Sequence, residues 1–285
     1  MQTSIANCVS ASGVGLHSGK CIHLTFRQAP PNTGIIFRRV DCQPVREVPA
    51  NMAFISDTRL CTTLERKGAK VATVEHLLSA IAGVGIDNLY VDLDGPEVPI
   101  MDGSASPFVF LLKSGGLLRQ HVPKRLIRVT APVTVTDDNG STCTLSPYDG
   151  RKIEFSINFD HPAFADSVQR ASIDLDKESY FIDVSRARTF GFITQLEMLK
   201  KQNLALGASL NNAIGLNETS ILNPNGLRYN NEFAMHKILD AIGDLHLLGS
   251  VIIGAFSGHC SGHRMNKLLL DQLVAQQSYE YIEVA

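Results

Sequence analysis

The sequence predicts an α+β protein made of two stacked halves of similar organisation. Its 285 residues are about twice an ordinary single domain, which makes two domains sharing an interface the default expectation. A coarse internal repeat says what each half contains. His76-Leu77-Leu78-Ser79-Ala80-Ile81 leads into a glycine turn, a strand, a Gly-Ser loop and a helix, and His236-Lys237-Ile238-Leu239-Asp240-Ala241-Ile242 leads into a glycine turn, a strand, a Ser-Gly-His loop and a helix. The third observation is the stretch EFAMHKILDAIGDLH (232–246), which sets His236, Asp240 and Asp244 at one repeated interval within an apolar helical pattern.

Composition narrows the function classes. An apolar share of 44% fills a sizeable core. With 26 basic against 28 acidic residues, the chain carries no electrostatic footprint for nucleic acid. The N-terminal stretch lacks a basic flank followed by an apolar run, so no secretory signal is expected. The apolar stretch Leu247 to Phe256 is broken by Gly249, Ser250 and Gly254 and is too short to span a bilayer. Cys8, Cys21, Cys42, Cys61, Cys143 and Cys260 are scattered without a C-x-x-C pair. They suggest neither a disulfide framework nor a cysteine zinc ribbon, and reduced thiols fit a cytoplasmic protein.

In chain order, residues 1–50 read as strands joined by tight connections at Gly13, Gly15, Gly19 and Pro30-Pro31, with Ile22, Leu24 and Phe26 in period two. Val74 to Ala82 is a short helix ended by Gly83 and Gly85. A strand over Asn88 to Asp94 follows, and then a helix from Pro107 to Leu112 with Gly115-Gly116 beyond it. The polar, proline-containing stretch Gln120 to Arg128 marks the division, giving halves at 1–126 and 127–285. The second half opens as strands, with Asp137-Asp138-Asn139-Gly140 as a hairpin turn and Ile153, Phe155, Ile157 and Phe159 alternating. A mixed segment carries Leu196, Leu199, Leu204, Leu206 and Leu210. The helix over 232–246, a strand over Val251 to Ala255 and a last helix from Arg264 to Gln277 complete the half.

On the 232–246 helix each four-residue step turns about 40° past a full revolution, so His236 and Asp240 stack and Asp244 sits on the flank. A buried carboxylate beside a histidine is costly unless its charge is compensated. An internal His–Asp hydrogen bond is one answer and a divalent metal is another. Stacking the two halves through their helices would bring His76 beside His236. His76, His236 and Asp240 would then hold a metal with a fourth position left to water, the arrangement of a catalytic zinc site.

Seven segments in order, GVGLHSG (13–19), DTRLCTTL (57–64), VEHLLSA (74–80), GPEVPIMDGSA (95–105), SRARTFGF (185–192), HKILDAIGDL (236–245) and SGHRMNKL (261–268), give the chain a family likeness over nearly its full length. It closely resembles the zinc-dependent UDP-3-O-acyl-N-acetylglucosamine deacetylases, which carry out the committed step of lipid A synthesis in Gram-negative bacteria. The resemblance implies two α+β domains whose helical layers face each other between two sheets, with the active site at their cleft. It also implies a small insert in each domain, here within 45–70 and 190–222, the second forming an apolar passage for the substrate's acyl chain.

The same resemblance implies roles for particular residues. Glu75 is expected to be the general base and His263 the general acid, with Asp244 holding the opposite ring nitrogen. Thr189 is expected to donate to the oxyanion. Lys237 is expected to meet the diphosphate or sugar as a point charge. Phe190 and Phe192 are expected to line the pocket, while His17 lies at the cleft edge with no assigned role. The acidic hairpin Asp137 to Thr142 departs from the family, whose members often carry a basic residue there, so fewer cationic partners for the diphosphate are expected. The expected partner is a UDP-linked acylated glucosamine met by a monomeric enzyme.

Overall fold

In the computed structural model, which describes residues 1–284, the two halves repeat one order of strands and helices. After β1 (Thr3–Ile5), the first half forms two hairpins, β2 (Val9–Val14) with β3 (Cys21–Gln28) and β4 (Ile35–Arg39) with β5 (Arg46–Pro49). A small insert follows, made of β6 (Ile55–Asp57), β7 (Thr63–Arg66) and β8 (Ala69–Val71). Then come α1 (Glu75–Val84), β9 (Leu89–Leu93), α2 (Ser106–Ser114) and β10 (Leu117–Arg119), the last pairing with β1. Strand β9 slots between the hairpins, antiparallel to β3 and parallel to β4.

The second half opens with β11 (Lys124–Val129). Its two hairpins are β12 (Val133–Thr136) with β13 (Thr142–Ser146) and β14 (Arg151–Ser156) with β15 (Arg170–Asp174). Its insert contains a π-helical turn over Tyr180–Val184, β16 (Phe190–Phe192), α3 (Ile193–Lys201) and β17 (Ile214–Leu216). After it come α4 (Glu232–Leu245), β18 (Ile252–His259), α5 (His263–Ala275) and β19 (Tyr279–Val284). Here β18 takes the place that β9 has in the first half, antiparallel to β13 and parallel to β14. Strand β11 straddles residues 126 and 127, and both its partners, β18 and β19, belong to the second sheet.

Alternation in the sequence explains which face each sheet buries. Ile22, Leu24 and Phe26 of β3 are buried while Cys21 and His23 are exposed, and Ile153 and Phe155 of β14 point into the second core. The helices cover those faces. Leu77, Leu78 and Ile81 of α1 and Phe233, Ile238 and Leu239 of α4 are buried, each worth about 1.5–3 kcal/mol in apolar area removed from water.

Helix α1 continues through Gly83 and Val84 and stops at Gly85, the second of the two glycines expected to end it. Gly83 lies within the helix, and the ring of Tyr180 packs where its Cβ would be. Gly85, at φ +86°, ends the helix and donates its N–H to the Ile81 carbonyl. Helix α4 crosses α1 so closely that a Cβ on Gly243 would collide with the carbonyl oxygen of Glu75. That contact draws the histidine of one half onto the histidine of the other. Among the described residues no helix is long and apolar enough to cross a membrane.

Gly243→Ala tests the crossing. The added methyl must push α1 and α4 apart, and a loss of about 1–3 kcal/mol in urea-monitored stability is expected; an unchanged midpoint would show that the helices do not depend on this approach.

Candidate metal centre and catalytic site

The facing helices place His76 on the first turn of α1 against His236 and Asp240 on successive turns of α4. The two imidazole rings meet edge to face with centroids 5.0 Å apart. Asp240 Oδ1 lies 3.5 Å from His76 Nε2 and 3.4 Å from His236 Nε2. One potential ligand atom from each of the three residues lies within 4.8 Å of the others, and all three side chains are buried.

Three features fit a bound cation. Asp240 Oδ1 is buried without a hydrogen-bond partner, a costly state for a carboxylate oxygen unless a cation meets it. His236 Nδ1 lies 3.1 Å from the Ala187 carbonyl; donating there fixes the tautomer and turns the lone pair of Nε2 toward Asp240. Burial pushes His236 down to about 3, so its ring is neutral at pH 7, as a metal ligand must be. Lys237 sits on the other oxygen of Asp240. Burial would lower the lysine's pKa, yet the Asp240 charge outweighs it and holds the ammonium protonated.

One turn further along α4, Asp244 organises a second polar group. Its Oδ2 accepts from His263 Nδ1 at 2.7 Å and from Asn266 Nδ2 at 2.8 Å, while its Oδ1 accepts from the Thr62 hydroxyl at 2.6 Å. Burial would lower the His263 pKa, but the Asp244 and Glu75 carboxylates raise it to about 9. Its remaining nitrogen, Nε2, lies 4.0 Å from Glu75 Oε1. Glu75 accepts from the Thr62 backbone N–H at 3.0 Å. Burial raises the Glu75 pKa, with His263 and His76 pulling the other way. The Glu75 carboxyl group and the His263 imidazole therefore face one another beside the His-His-Asp cluster.

Thr189, Phe190 and Phe192 line a largely apolar cavity of about 450 Å³ between the second insert and Leu16, His17 and Leu60 of the first half. Phe190 also packs edge to face on Phe233 at 4.9 Å, and Phe192 meets His161 at 5.3 Å. Of the leucines singled out in the sequence, Leu196, Leu199 and Leu210 line the cavity, whereas Leu204 and Leu206 do not. His17 lines it as well. Its main-chain N–H donates to Glu97, and its Nε2 is buried without a partner.

Sequence reasoning did not single out Thr62 and Asn266, which complete the coordination of Asp244. Asn266 had a readable signal. It lies one turn after His263 on the buried stripe of α5 with Met265, Leu269, Leu270 and Leu273, and an asparagine on such a stripe needs a polar partner. Thr62 had none, because its partner is 182 residues away in sequence.

A cation-ready triad flanked by a carboxyl group and an imidazole, where two α+β halves meet, defines a metal-dependent hydrolase. The chain belongs to the UDP-3-O-acyl N-acetylglycosamine deacetylase family, whose model matches residues 2–275. It is 54% identical over 277 residues to the UDP-3-O-acyl-N-acetylglucosamine deacetylase of Coxiella burnetii (strain Dugway 5J108-111), covering 97% of this chain and 91% of that protein. The deacetylase of the same description from Legionella pneumophila (strain Corby) is also 54% identical, over 274 residues, covering 96% of this chain and 90% of its own.

Asp244→Asn keeps the side chain's shape and removes the charge that raises His263. The imidazole is then expected to titrate roughly 1 to 3 pH units below its value near 9, measured by NMR on ring-labelled protein. A variant ring that still titrates near 9 would show that Asp244 does not set its charge.

Proposed function

We propose that the chain is a zinc-dependent deacetylase that hydrolyses the N-acetyl group of UDP-3-O-(3-hydroxyacyl)-N-acetylglucosamine, releasing acetate and the free amine in the committed step of lipid A biosynthesis. The observation that carries this reading is the unpartnered Asp240 oxygen between two imidazoles, next to a Glu75–His263 pair. In this reading residues 1–126 supply Glu75 and His76, and residues 127–285 supply His236, Asp240, Asp244, His263 and the acyl passage. The protein acts as a monomer in the cytoplasm, where its six free thiols stay reduced.

His76, His236 and Asp240 would hold zinc, which would supply a lowered pKa to bound water and polarisation to the amide carbonyl. Glu75 takes a proton from the attacking water as its oxygen bonds to the carbonyl carbon. The Thr189 hydroxyl donates to the oxyanion that forms. His263 then passes its Nε2 proton to the amine nitrogen as the C–N bond breaks. Asp244, on the opposite ring nitrogen, keeps that proton loaded at neutral pH and holds the ring in place.

The remaining residues receive the substrate. Phe190, Phe192, Leu196, Leu199 and Leu210 enclose the acyl chain in the apolar cavity. Lys237, half-buried beside Asp240, offers its charge to the sugar or diphosphate. The hairpin carrying Asp137 gives the nucleotide little cationic help, since Asp137 already pairs with Arg264 at 2.8 Å.

Elemental analysis and acetate-release assays divide the roles. Asp240→Ala and His76→Ala are expected to lose zinc and activity together, whereas His263→Ala should keep full zinc and lose roughly 10²- to 10⁴-fold in kcat. Stoichiometric zinc in the first two variants would overturn the ligand assignment.

Filling the cavity tests the passage. Leu196→Trp is expected to raise KM for the acylated substrate at least ~10-fold, the loss of about 1.4 kcal/mol of binding, with the zinc content unchanged. An unaltered KM would place the acyl chain elsewhere.

A further inference from the structure

The carboxylate of Glu232, the first residue of α4, is fully buried and accepts four hydrogen bonds. Arg188 donates three of them, from its main-chain N at 3.1 Å, Nε at 2.8 Å and a terminal guanidinium nitrogen at 3.0 Å. The fourth comes from the Arg228 main-chain N–H at 2.6 Å. Such a pair is dearly desolvated, and stability alone is weak grounds for it, because apolar groups of the same volume often do as well. Its location suggests another use.

The pair anchors a short piece of backbone, residues 186–189, that reaches His236 and the first half. The Arg186 carbonyl accepts from the Arg228 guanidinium at 2.7 Å, and the Ala187 carbonyl lies 3.1 Å from His236 Nδ1. The Thr189 N–H donates to the Gly103 carbonyl of the first half at 2.8 Å, and its carbonyl accepts from Ile214 at 2.8 Å. The other terminal nitrogen of Arg228 reaches Asp102, also in the first half, at 2.8 Å. Four consecutive residues are thereby fixed between the start of α4 and the opposite half.

We propose that the Glu232–Arg188 pair is a positioning device for the metal centre. It holds the Ala187 carbonyl against His236 Nδ1, so that the ring keeps one tautomer and one orientation, and through Arg228 and Asp102 it ties that setting to the half that supplies His76. Glu232 and Arg188 touch neither substrate nor metal; they act through His236. The inference rests on the metal reading given above.

The test measures Zn²⁺ affinity by competition with a chromophoric chelator and the visible spectrum of Co²⁺-loaded protein, which reports ligand geometry. Glu232→Gln and Arg188→Lys are expected to weaken Zn²⁺ binding roughly 10- to 100-fold, the usual cost of losing support for a metal-bound histidine, and to shift the Co²⁺ bands. Arg39→Met breaks an arginine fork on Asp41 in the other sheet, with an arginine as buried as Arg188. It should lower the melting temperature while leaving affinity and spectrum unchanged. If Glu232→Gln does not fold, Arg228→Met cuts the tie to Asp102 at a more exposed point, and a weakened, spectrally shifted site is expected there too. Wild-type affinity and spectrum in the folded variants, or an equal change in Arg39→Met, would overturn the proposal. A wild-type chain that takes up no Zn²⁺ would remove the metal reading and this inference with it.

Discussion

The site depends on the close crossing of α1 and α4. Two helices normally pack with axes 8–10 Å apart according to the side chains between them, and here a glycine removes the spacer. Gly243 lies against the main chain of Glu75, so residues on the first turn of α1 fall beside the turns of α4 that precede and follow the contact. His76 meets Asp240 on one side, and Glu75 faces the group built on Asp244 on the other. His76 thereby meets Asp240, and Glu75 meets His263, across the two halves.

The two carboxylates of α4 divide the work because their surroundings differ. Asp244 has both oxygens satisfied by neutral or imidazole donors from two segments, Thr62 and the first turn of α5, and its charge raises the His263 pKa. Asp240 has one oxygen on Lys237 and the other free between two imidazoles. Burial would push the Asp240 pKa up, but His236, Lys237 and its other neighbours hold it well below the usual carboxylate range, so it presents a fixed negative charge. One turn of helix thus separates a carboxylate suited to a cation from one suited to a proton donor.

How much of this is legible in the sequence follows from the range of the interactions. The repeated helix, strand and helix are local patterns, and they expose both the duplication and the residues that face the helical interface. His236 and Asp240 are readable because one helix carries both. His76 is reached only by arguing from the repeat, since nothing local ties it to a residue 160 positions on. Thr62, the Ala187 carbonyl and the Glu232–Arg188 pair are not legible at all. A threonine in a strand-rich segment, a main-chain carbonyl and an arginine after an alanine look the same whether or not they serve a site. Gly83, which makes room for the Tyr180 ring, and Gly85, which ends α1, look alike in the sequence.

Three of the nine non-glycine residues with left-handed φ among the described residues, Thr73 (+57°), Met101 (+55°) and Cys260 (+47°), stand just before Glu75-His76, Asp102-Gly103 and Ser261-Gly262-His263. For a β-branched residue such as Thr73 this conformation costs about 1–2 kcal/mol, and it is retained because the surroundings leave no other path. The Thr73 hydroxyl donates to buried Glu97, which also receives the N–H groups of His17 and Ser18. The Cys260 N–H is held by the Ser156 carbonyl, and the Gly103 N–H by the Ile100 carbonyl. Loops that were free to relax would let His76 and His263 drift by more than the few tenths of an ångström that metal and proton-transfer geometry tolerate. Bending each chain through a disfavoured region and pinning it with buried hydrogen bonds leaves the histidines one place to be, so the stability given up at three residues is returned as a site assembled before its ligands arrive.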